Sequence, residues 1–535
     1  MPLTRVHLLG AADDLGAFLV RTGLDVVDGL DGTTDGSAVV VVADRLDEPL
    51  EDRLLAVGVP VLLVGPTMST ALSDAAGLVP RELTPVHEVR VRPGRDAGEV
   101  AARRGGDLLL HDRWPLQDKV ADDVEVLLTA SSAFRDHPVA TWRPSTRVGA
   151  LTVGSTATTL ADPVWHRLVH RVLRHVTGVR DGGPVRFGML GFGAIGLEHA
   201  AAVARTEGLE LAAVCDTDPA RTDAARSVAP EVRVHTGADA LLTDDGVDLV
   251  VVSTPPSTHA HWVLQALEAG KHVVVEKPFC LTVEQADRQV AAAAERRLLL
   301  AVYQNRRWDA DYLALKRVVR DGLVGEVFSV ETFVGGYGHP CNFWHSDEAV
   351  SGGAVYDWGS HYLDQLLDLL GTDVEWVSAT AHKRVWHDVT NADHTRVLLH
   401  YRDGREAEFT ASDLAAARKP KYHVLGTRGA VVGDWREERV VSRSAVGLLL
   451  EDRLAPADSP AALRVLVPDG AGGTSVTALS VPPPPLDPFH RELADALLAG
   501  VPMSVTPEGS RRGVAVMEAA TRSAQDGGRP VDVDL

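Results

Sequence analysis

Three glycines, Gly191, Gly193 and Gly196, stand in G-x-G-x-x-G spacing within GMLGFGAIG, directly after an apolar run and directly before a helical pattern. The chemistry this spacing serves is the holding of a pyrophosphate. Gly191 permits the tight turn, Gly193 lets main chain approach phosphate, Gly196 lets helix pack on strand, and the helix start presents oriented N–H groups. Phe192, Ala194 and Ile195 complete the turn. An isolated triplet is as readily an incidental glycine turn. Here the next apolar run ends in Asp216, 20 residues beyond the last glycine, where a carboxylate can accept hydrogen bonds from ribose hydroxyls. That carboxylate would repel a 2′-phosphate, so NAD is preferred over NADP, although Arg221 is near enough in sequence to accommodate the phosphate. The plain alternative for Asp216 is a surface turn residue capped by Asp218-Pro219.

Two more groupings follow. Glu276-Lys277-Pro278 comes after the apolar run His272–Val275, so Lys277 stands at the carboxyl edge of a sheet, where ligands bind in open α/β folds. By itself it reads equally as a solvated lysine. Asp357 and His361 are four apart at the start of a helical pattern, hence on one face, with Asp364 a further turn along. Such spacing can hold an imidazole in one tautomer, and a histidine of near-neutral pKa suits removal of a hydroxyl proton as hydride leaves the same carbon. On spacing alone, an aspartate and a histidine paired for stability are the simpler account. Gly352 and Gly353 favour the functional one, because they let backbone approach a nicotinamide face. In HPCNFWHS, His339, Cys341 and His345 could suggest a metal, but a loop with packed aromatics is the simpler reading, and no metal is expected.

These groups need a frame. Arg186–Leu190, Leu209–Cys215, Leu249–Ser253 and His272–Val275 read as strands, with helices through Arg205 and over His259–Ala269, a repeated βαβ pattern. Beyond Trp308, helices over Tyr312–Arg320 and Gly359–Leu370 precede alternating runs, VFSVETF, WVSATAHKRVW, TRVLLHY and EAEFTAS, which predict a half-exposed antiparallel sheet. Residues 438–480 fit no clear pattern, and PPPP at 482–485 precedes a last helical region. Upstream, Arg5–Leu9, Ala38–Val42, Val59–Val64, VEVLLTA and RVGALTVG read as strands, with helices over Leu15–Thr22, Glu51–Val57 and Pro163–Val176. Continuous Val/Leu runs suit a parallel sheet covered on both faces. Polar, glycine-rich RDGGP, Arg180–Pro184, is the expected linker.

At 535 residues, two or three domains are expected. The divisions are 1–180, 185–305 and 306–535. With 53 basic against 74 acidic side chains the net charge is −21, which disfavours nucleic acid and leaves a small molecule as the expected partner. Cys215, Cys280 and Cys341 are too few and too scattered for a disulfide framework or a CxxC zinc site, and a reducing cytoplasm fits best. Neither an export leader nor an apolar run of roughly 20 residues is seen, so no membrane role is expected.

GFGAIG, AVCDTDP, VVVSTPPSTHAHWVLQALEAGKHVVVEKP, QNRRWDADYLALKRVVRDGLVGEV and SGGAVYDWGSHYLDQLLDLLG together resemble the Gfo/Idh/MocA oxidoreductases from about Val185 onward, roughly two-thirds of the chain. The resemblance implies a Rossmann dinucleotide-binding domain, then an α+β domain with a large, mostly antiparallel sheet. It implies a nicotinamide cofactor bordered by Thr254, Pro255, His259, Glu276, Lys277 and Gln304. Lys277 would reach the reacting hydroxyl, and Asp357 and His361 would line the substrate site with His361 as general acid/base. Asn305 and Arg306 of NRRW would lie around the substrate by family match, and Trp344 by its aromatic surroundings. The expected reaction is hydride transfer between NAD(P) and a secondary alcohol of a sugar, cyclitol or related polyol, in a homodimer or homotetramer. The alternatives are a lyase or glycosidase using transient oxidation, and a non-catalytic NAD-binding sensor or scaffold.

Residues 1–180 resemble, more faintly, ThuA-like domains, relatives of the class I glutamine amidotransferase fold, through HDRWPLQDKVADDVEVLLTA, HPVATWRPSTRVGALTVGSTATTL and DPVWHRLVHRVLRHVTG. This implies a flavodoxin- or amidotransferase-like α/β domain. No cysteine precedes Cys215, so amidotransferase chemistry is excluded. His111, His137 and Ser155 read as scattered loop-end polar residues, and binding, docking or oligomerisation is the expected role.

Overall fold

The computed structural model describes residues 3–10, 13–42, 48–66, 69–98, 100, 108–132, 135–179, 183–341, 343–444, 447–454, 459–481 and 486–535. The chain forms two compact units: Met1–Val185 with Ala201–Glu210 and Pro485–Ser504, and Arg186–Ala200 with Leu211–Pro484 and Val505–Leu535. Arg180–Gly182 of the expected linker and the PPPP run fall outside the described residues.

In the first unit, Asp25–Asp28, Arg5–Leu9, Ser37–Val42, Val61–Val64 and Val148–Leu151 pair in parallel. Ser37–Val42 and Val61–Val64 are buried throughout, as their unbroken apolar runs require. The sheet then continues antiparallel through Arg135–Arg143, Glu125–Ser132, His87–Pro93 and Leu108–Asp112. The purely parallel reading is thereby corrected. Connections such as 144–147 are far shorter than the dozen or more residues a parallel crossover needs. Pro163–Val176 starts with proline at its first position and Asp162 accepting from the Val164 amide, and it buries Trp165, Leu168, Val169, Val172 and Leu173. Residues 485–504, expected with the last domain, cluster here instead: Val501 joins this core and Asp495 pairs with Arg171. His137 spends its Nδ1 on the Gln117 backbone, and Ser155 donates to the buried Asp112 at 2.5 Å. Both bonds tie segments distant in sequence together.

In the second unit a six-stranded sheet runs Arg233–His235, Leu209–Cys215, Val185–Leu190, Leu249–Val252, His272–Val275, Leu300–Val302. Val185–Leu190 lies between the strands that follow it in opposite directions across the sheet, so the crevice at its carboxyl end is the topological switch point. A nine-stranded sheet follows in the order Thr474–Ala478, Ala462–Pro468, Gly429–Asp434, Tyr422–Gly426, Val327–Gly335, Glu406–Ser412, His394–Tyr401, Val374–His382, Val531–Asp532. Val327–Gly335 and Glu406–Ser412 pair in parallel, and the other pairings are antiparallel. The unplaced stretch supplies two of these strands and a separate hairpin, Glu437–Ser444 with Gly447–Leu454. WVSATAHKRVW leaves the sheet at His382. There the amides of Arg384 and Val385 turn onto the Asp393 carboxylate, at 2.5 and 2.7 Å. Tyr362, Leu363 and Leu366 of the helix Gly359–Leu370, with Val514, Val516 and Met517 of Pro507–Gln525, fill the core beneath the sheet.

Candidate active site

The glycine turn follows Val185–Leu190 directly. Gly191 has φ +90°, and a Cβ there would lie 2.6 Å from the Ser253 carbonyl oxygen. Its amide donates to the Cys215 carbonyl at 2.8 Å. Nothing lies within 4 Å of a Cβ built on Gly193, so main chain is open to a phosphate at the start of the helix Ala194–Arg205, and a dinucleotide fits this turn. Gly196 makes room for the Phe192 ring, 3.1 Å from its would-be Cβ, rather than for the strand. Gly191→Ala therefore meets both a forbidden φ and a backbone clash. Calorimetric titration of this variant with NAD or NADP should detect no binding, and its melting temperature should fall by the equivalent of about 1–3 kcal/mol.

Asp216 is a clasp more than a free ribose acceptor. One oxygen accepts from the Phe192 amide at 2.7 Å, the other from the Asp218 amide at 2.9 Å, and Arg221 lies 3.5 Å away. Ala194 and Ile195 begin the helix beyond the pinned turn.

Thr254 and Pro255 end the next strand's loop, with the Thr254 and Thr258 hydroxyls 2.7 Å apart. His259, expected against the cofactor, is buried behind two loops, its ring nitrogens each 2.8 Å from a carbonyl, of Pro278 and of Thr254. Burial lowers its pKa, and it ties the Thr254 loop to the turn carrying Lys277. Glu276 likewise faces inward. It accepts from His199 at 2.9 Å and from the Lys277 amide at 3.2 Å. His199, which sequence reasoning missed, sits on the dinucleotide helix against the Tyr303 ring, centroids 4.4 Å apart. His199→Phe strands a buried carboxylate, so thermal denaturation should register a loss of about 1–3 kcal/mol.

Lys277 donates to Asp357 at 2.9 Å, with side chains 23% and 31% exposed. Tyr356 sets this up by donating to the Leu281 carbonyl at 2.8 Å, which locks the short helix Ala354–Asp357 onto the turn after Pro278. Gly352 serves the same join rather than a cofactor face: a Cβ there would lie 2.8 Å from Leu281. Burial would raise the Asp357 pKa, but the Lys277 ammonium, with His345 and Arg306 behind it, holds it below the usual range. His361 is 5% exposed, and burial together with the Lys277 and Arg306 charges keeps its pKa well below an ordinary imidazole. The expected role of Asp357 in fixing the His361 tautomer is corrected, since Asp357 is spent on Lys277 and Asp364 on Arg307, at 2.6 and 2.8 Å. His361 Nδ1 has no hydrogen-bond partner among the described residues.

Arg307, missed in the sequence, anchors the NRRW turn to the helix Gly359–Leu370 through Asp364. The Gln365 amide meanwhile donates to the Arg306 carbonyl at 2.8 Å. Arg306 then lies over Trp358, 5.1 Å from its ring centroid. Gln304 Oε1 and Asn305 Oδ1 are buried and take no hydrogen bond among the described residues. Such atoms await a donor. Beside Asp357 opens a cavity of about 370 Å³ lined by Phe343, His345, Trp358, Asn391, Asp393 and Asp413, among others. Trp344 stacks on His345 at 3.6 Å. His339 pairs with Asp388 at 2.8 Å, and among the described residues no group of His, Cys, Asp and Glu could hold a metal. No described helix is long and apolar enough to cross a membrane.

Residues 185–304 match the oxidoreductase family with an NAD-binding Rossmann fold, and residues 312–432 the GFO/IDH/MocA C-terminal domain. An uncharacterized oxidoreductase of Schizosaccharomyces pombe is 37% identical over 213 residues, 38% of this chain, and the chain spans 58% of that protein. Inositol 2-dehydrogenase of Rhizobium meliloti (strain 1021) is 32% identical over 256 residues, 47% of this chain and 76% of that protein. The solved NAD-binding protein from Listeria innocua, 27% identical, superposes with a TM-score of 0.55 over 65% of this chain and 96% of its own. Both family segments lie where the glycine turn, Lys277 and Asp357 lie, and the chain belongs to the GFO/IDH/MocA oxidoreductase family.

Proposed function

We propose that this protein is a dehydrogenase that uses NAD, or NADP, to oxidise a secondary alcohol of a sugar, cyclitol or related polyol, or to catalyse the reverse reduction. The observation that carries the reading is the pairing of Lys277, at the carboxyl edge of the dinucleotide-binding sheet, with Asp357, near the neutral His361 and beside a cavity that Asp357 lines. Similarity to an inositol 2-dehydrogenase supports the substrate class. A bound nicotinamide supplies the hydride acceptor.

The chain's own residues do the rest. The Lys277 ammonium, held by Asp357, donates to the substrate oxygen and stabilises charge developing on it. His361, kept neutral by burial and two nearby cations, is ready to take the hydroxyl proton. Gln304 Oε1 and Asn305 Oδ1 supply buried acceptors with no hydrogen bond among the described residues. We assign the first unit, with its ThuA-like sequence features, a binding or docking role, because His137 and Ser155 are engaged in long-range structural hydrogen bonds to Gln117 and Asp112. Screening polyols and sugars with NAD and NADP in parallel, read by the absorbance of reduced nicotinamide, is the test. Sustained turnover with at least one substrate is expected, and bound nucleotide with no turnover on any of them would sink the reading.

A further inference from the structure

Three carboxylates line the cavity beside Lys277, and two are already neutralised. Asp357 is paired with Lys277 at 2.9 Å. Asp393 accepts from Lys383 at 2.9 Å and from the Val385 amide at 2.7 Å. The third, Asp413, is half-buried, and its carboxylate takes no hydrogen bond and no ion pair among the described residues. Its main chain is fastened: its amide donates to the Asp393 carbonyl at 2.8 Å, and its carbonyl accepts from the Gly338 amide at 3.1 Å. The carboxylate is therefore held at the cavity wall with its acceptor capacity unspent. No lysine or arginine is among the described lining residues, whereas Asn391, His345 and Ser346 add neutral polar groups and Phe343 and Trp358 add aromatic faces.

We infer that Asp413 selects the substrate by accepting hydrogen bonds from its hydroxyl or amino groups, so that the site takes a polyhydroxylated ring bearing neither phosphate nor carboxylate. This rests on the dehydrogenase reading above and deepens it. An anionic substituent beside Asp413 would meet a like charge while the nearby Lys277 and Lys383 ammoniums are already paired with Asp357 and Asp393, whereas a hydroxyl donor satisfies the open oxygens. A cavity of about 370 Å³ suits a single ring. Burial, and the charges of Asp393 and Asp357, push the Asp413 carboxyl up to about 6, with Lys383 and His339 pulling the other way. The acceptor is thus fully ionised at pH 8 and is lost as pH falls through that value.

The test uses the full chain at pH 8 with its preferred nucleotide. Its probes are myo-inositol, glucose and glucosamine against glucose 6-phosphate and glucuronate. The neutral or amino-bearing probes should exceed the anionic pair by about 10-fold or more in kcat/KM. Asp413→Asn should raise KM for the best probe about 10-fold, with kcat within a factor of about 3 and nucleotide affinity unchanged. The parent protein should show a rise of KM as pH drops through about 6, and this rise should be absent from the variant. Equal turnover of phosphorylated and neutral sugars overturns the inference whether or not the variant folds, and so does an Asp413→Asn enzyme with unaltered KM. No turnover with any probe overturns the dehydrogenase reading itself, and this inference with it.

Discussion

Lys277→Ala is expected to lower kcat by roughly 10³-fold while leaving nucleotide affinity within a factor of about 3. The lysine stands at the sheet edge, tied by a 2.9 Å bond to Asp357, and in the proposed mechanism its ammonium serves both the substrate oxygen and this aspartate. Its loss removes a preorganised donor from the reacting oxygen and leaves Asp357 without its counter-ion, a cost that grows when bound substrate displaces water. Lys277→Arg should not restore activity, because a planar fork cannot replace a compact ammonium at one oxygen. Steady-state kinetics beside calorimetry decide the matter: a kcat within tenfold of the parent would remove Lys277 from the mechanism.

His361→Asn should cost about 10²- to 10⁴-fold in kcat, and its pH behaviour separates a base from a packing residue. Burial, then the Lys277 and Arg306 charges, hold this imidazole well below 6.5, so the proton-accepting form prevails through the neutral range. The acidic limb of kcat for alcohol oxidation, which the Asp413-dependent rise of KM does not enter, should therefore lie below 6.5 in the parent and disappear in the variant. Lys277→Met deletes one of the two depressing charges and should move any residual limb upward. Stability follows the same sign. Below the unfolded pKa of about 6.5 the unfolded chain binds a proton that the folded one refuses, so His361 makes the protein lose stability as pH falls, and His361→Asn should flatten that part of the melting-temperature profile. A parent enzyme whose acidic limb persists unchanged in His361→Asn would rule out the assignment.

Much of the second unit was legible from sequence because its signals are local. Leu209–Cys215 and His272–Val275 are buried strands and hence continuous apolar runs, and the structure ends both where the runs end. Gly359–Leu370 likewise begins and stops at the predicted residues. The glycine turn is equally local, since Gly191 needs a φ that few other residues adopt. Pairings across sequence were not legible. Four-residue spacing pointed Asp357 at His361, yet its partner is Lys277, 80 positions away. Glu276 was assigned to the cofactor, yet it is held by His199, 77 positions away.

The first unit repeats the lesson. The strands expected over Ala38–Val42 and Val59–Val64 from their apolar runs are Ser37–Val42 and Val61–Val64 in the structure. The antiparallel run through Arg135–Arg143 and Glu125–Ser132 depends on strand order, which periodicity does not encode. Residues alone thus determined that a dinucleotide turn, a sheet-edge lysine and a helix bearing His361 exist in this chain, whereas Asp357, expected on that same helix, ends the separate short helix Ala354–Asp357. Tertiary structure alone decided that Lys277 takes Asp357 and that Asp413 is left without a counter-ion. Backbone preference and hydrophobic period are properties of neighbours in sequence, whereas charge pairing and burial depend on which distant segments the fold brings within a few ångströms.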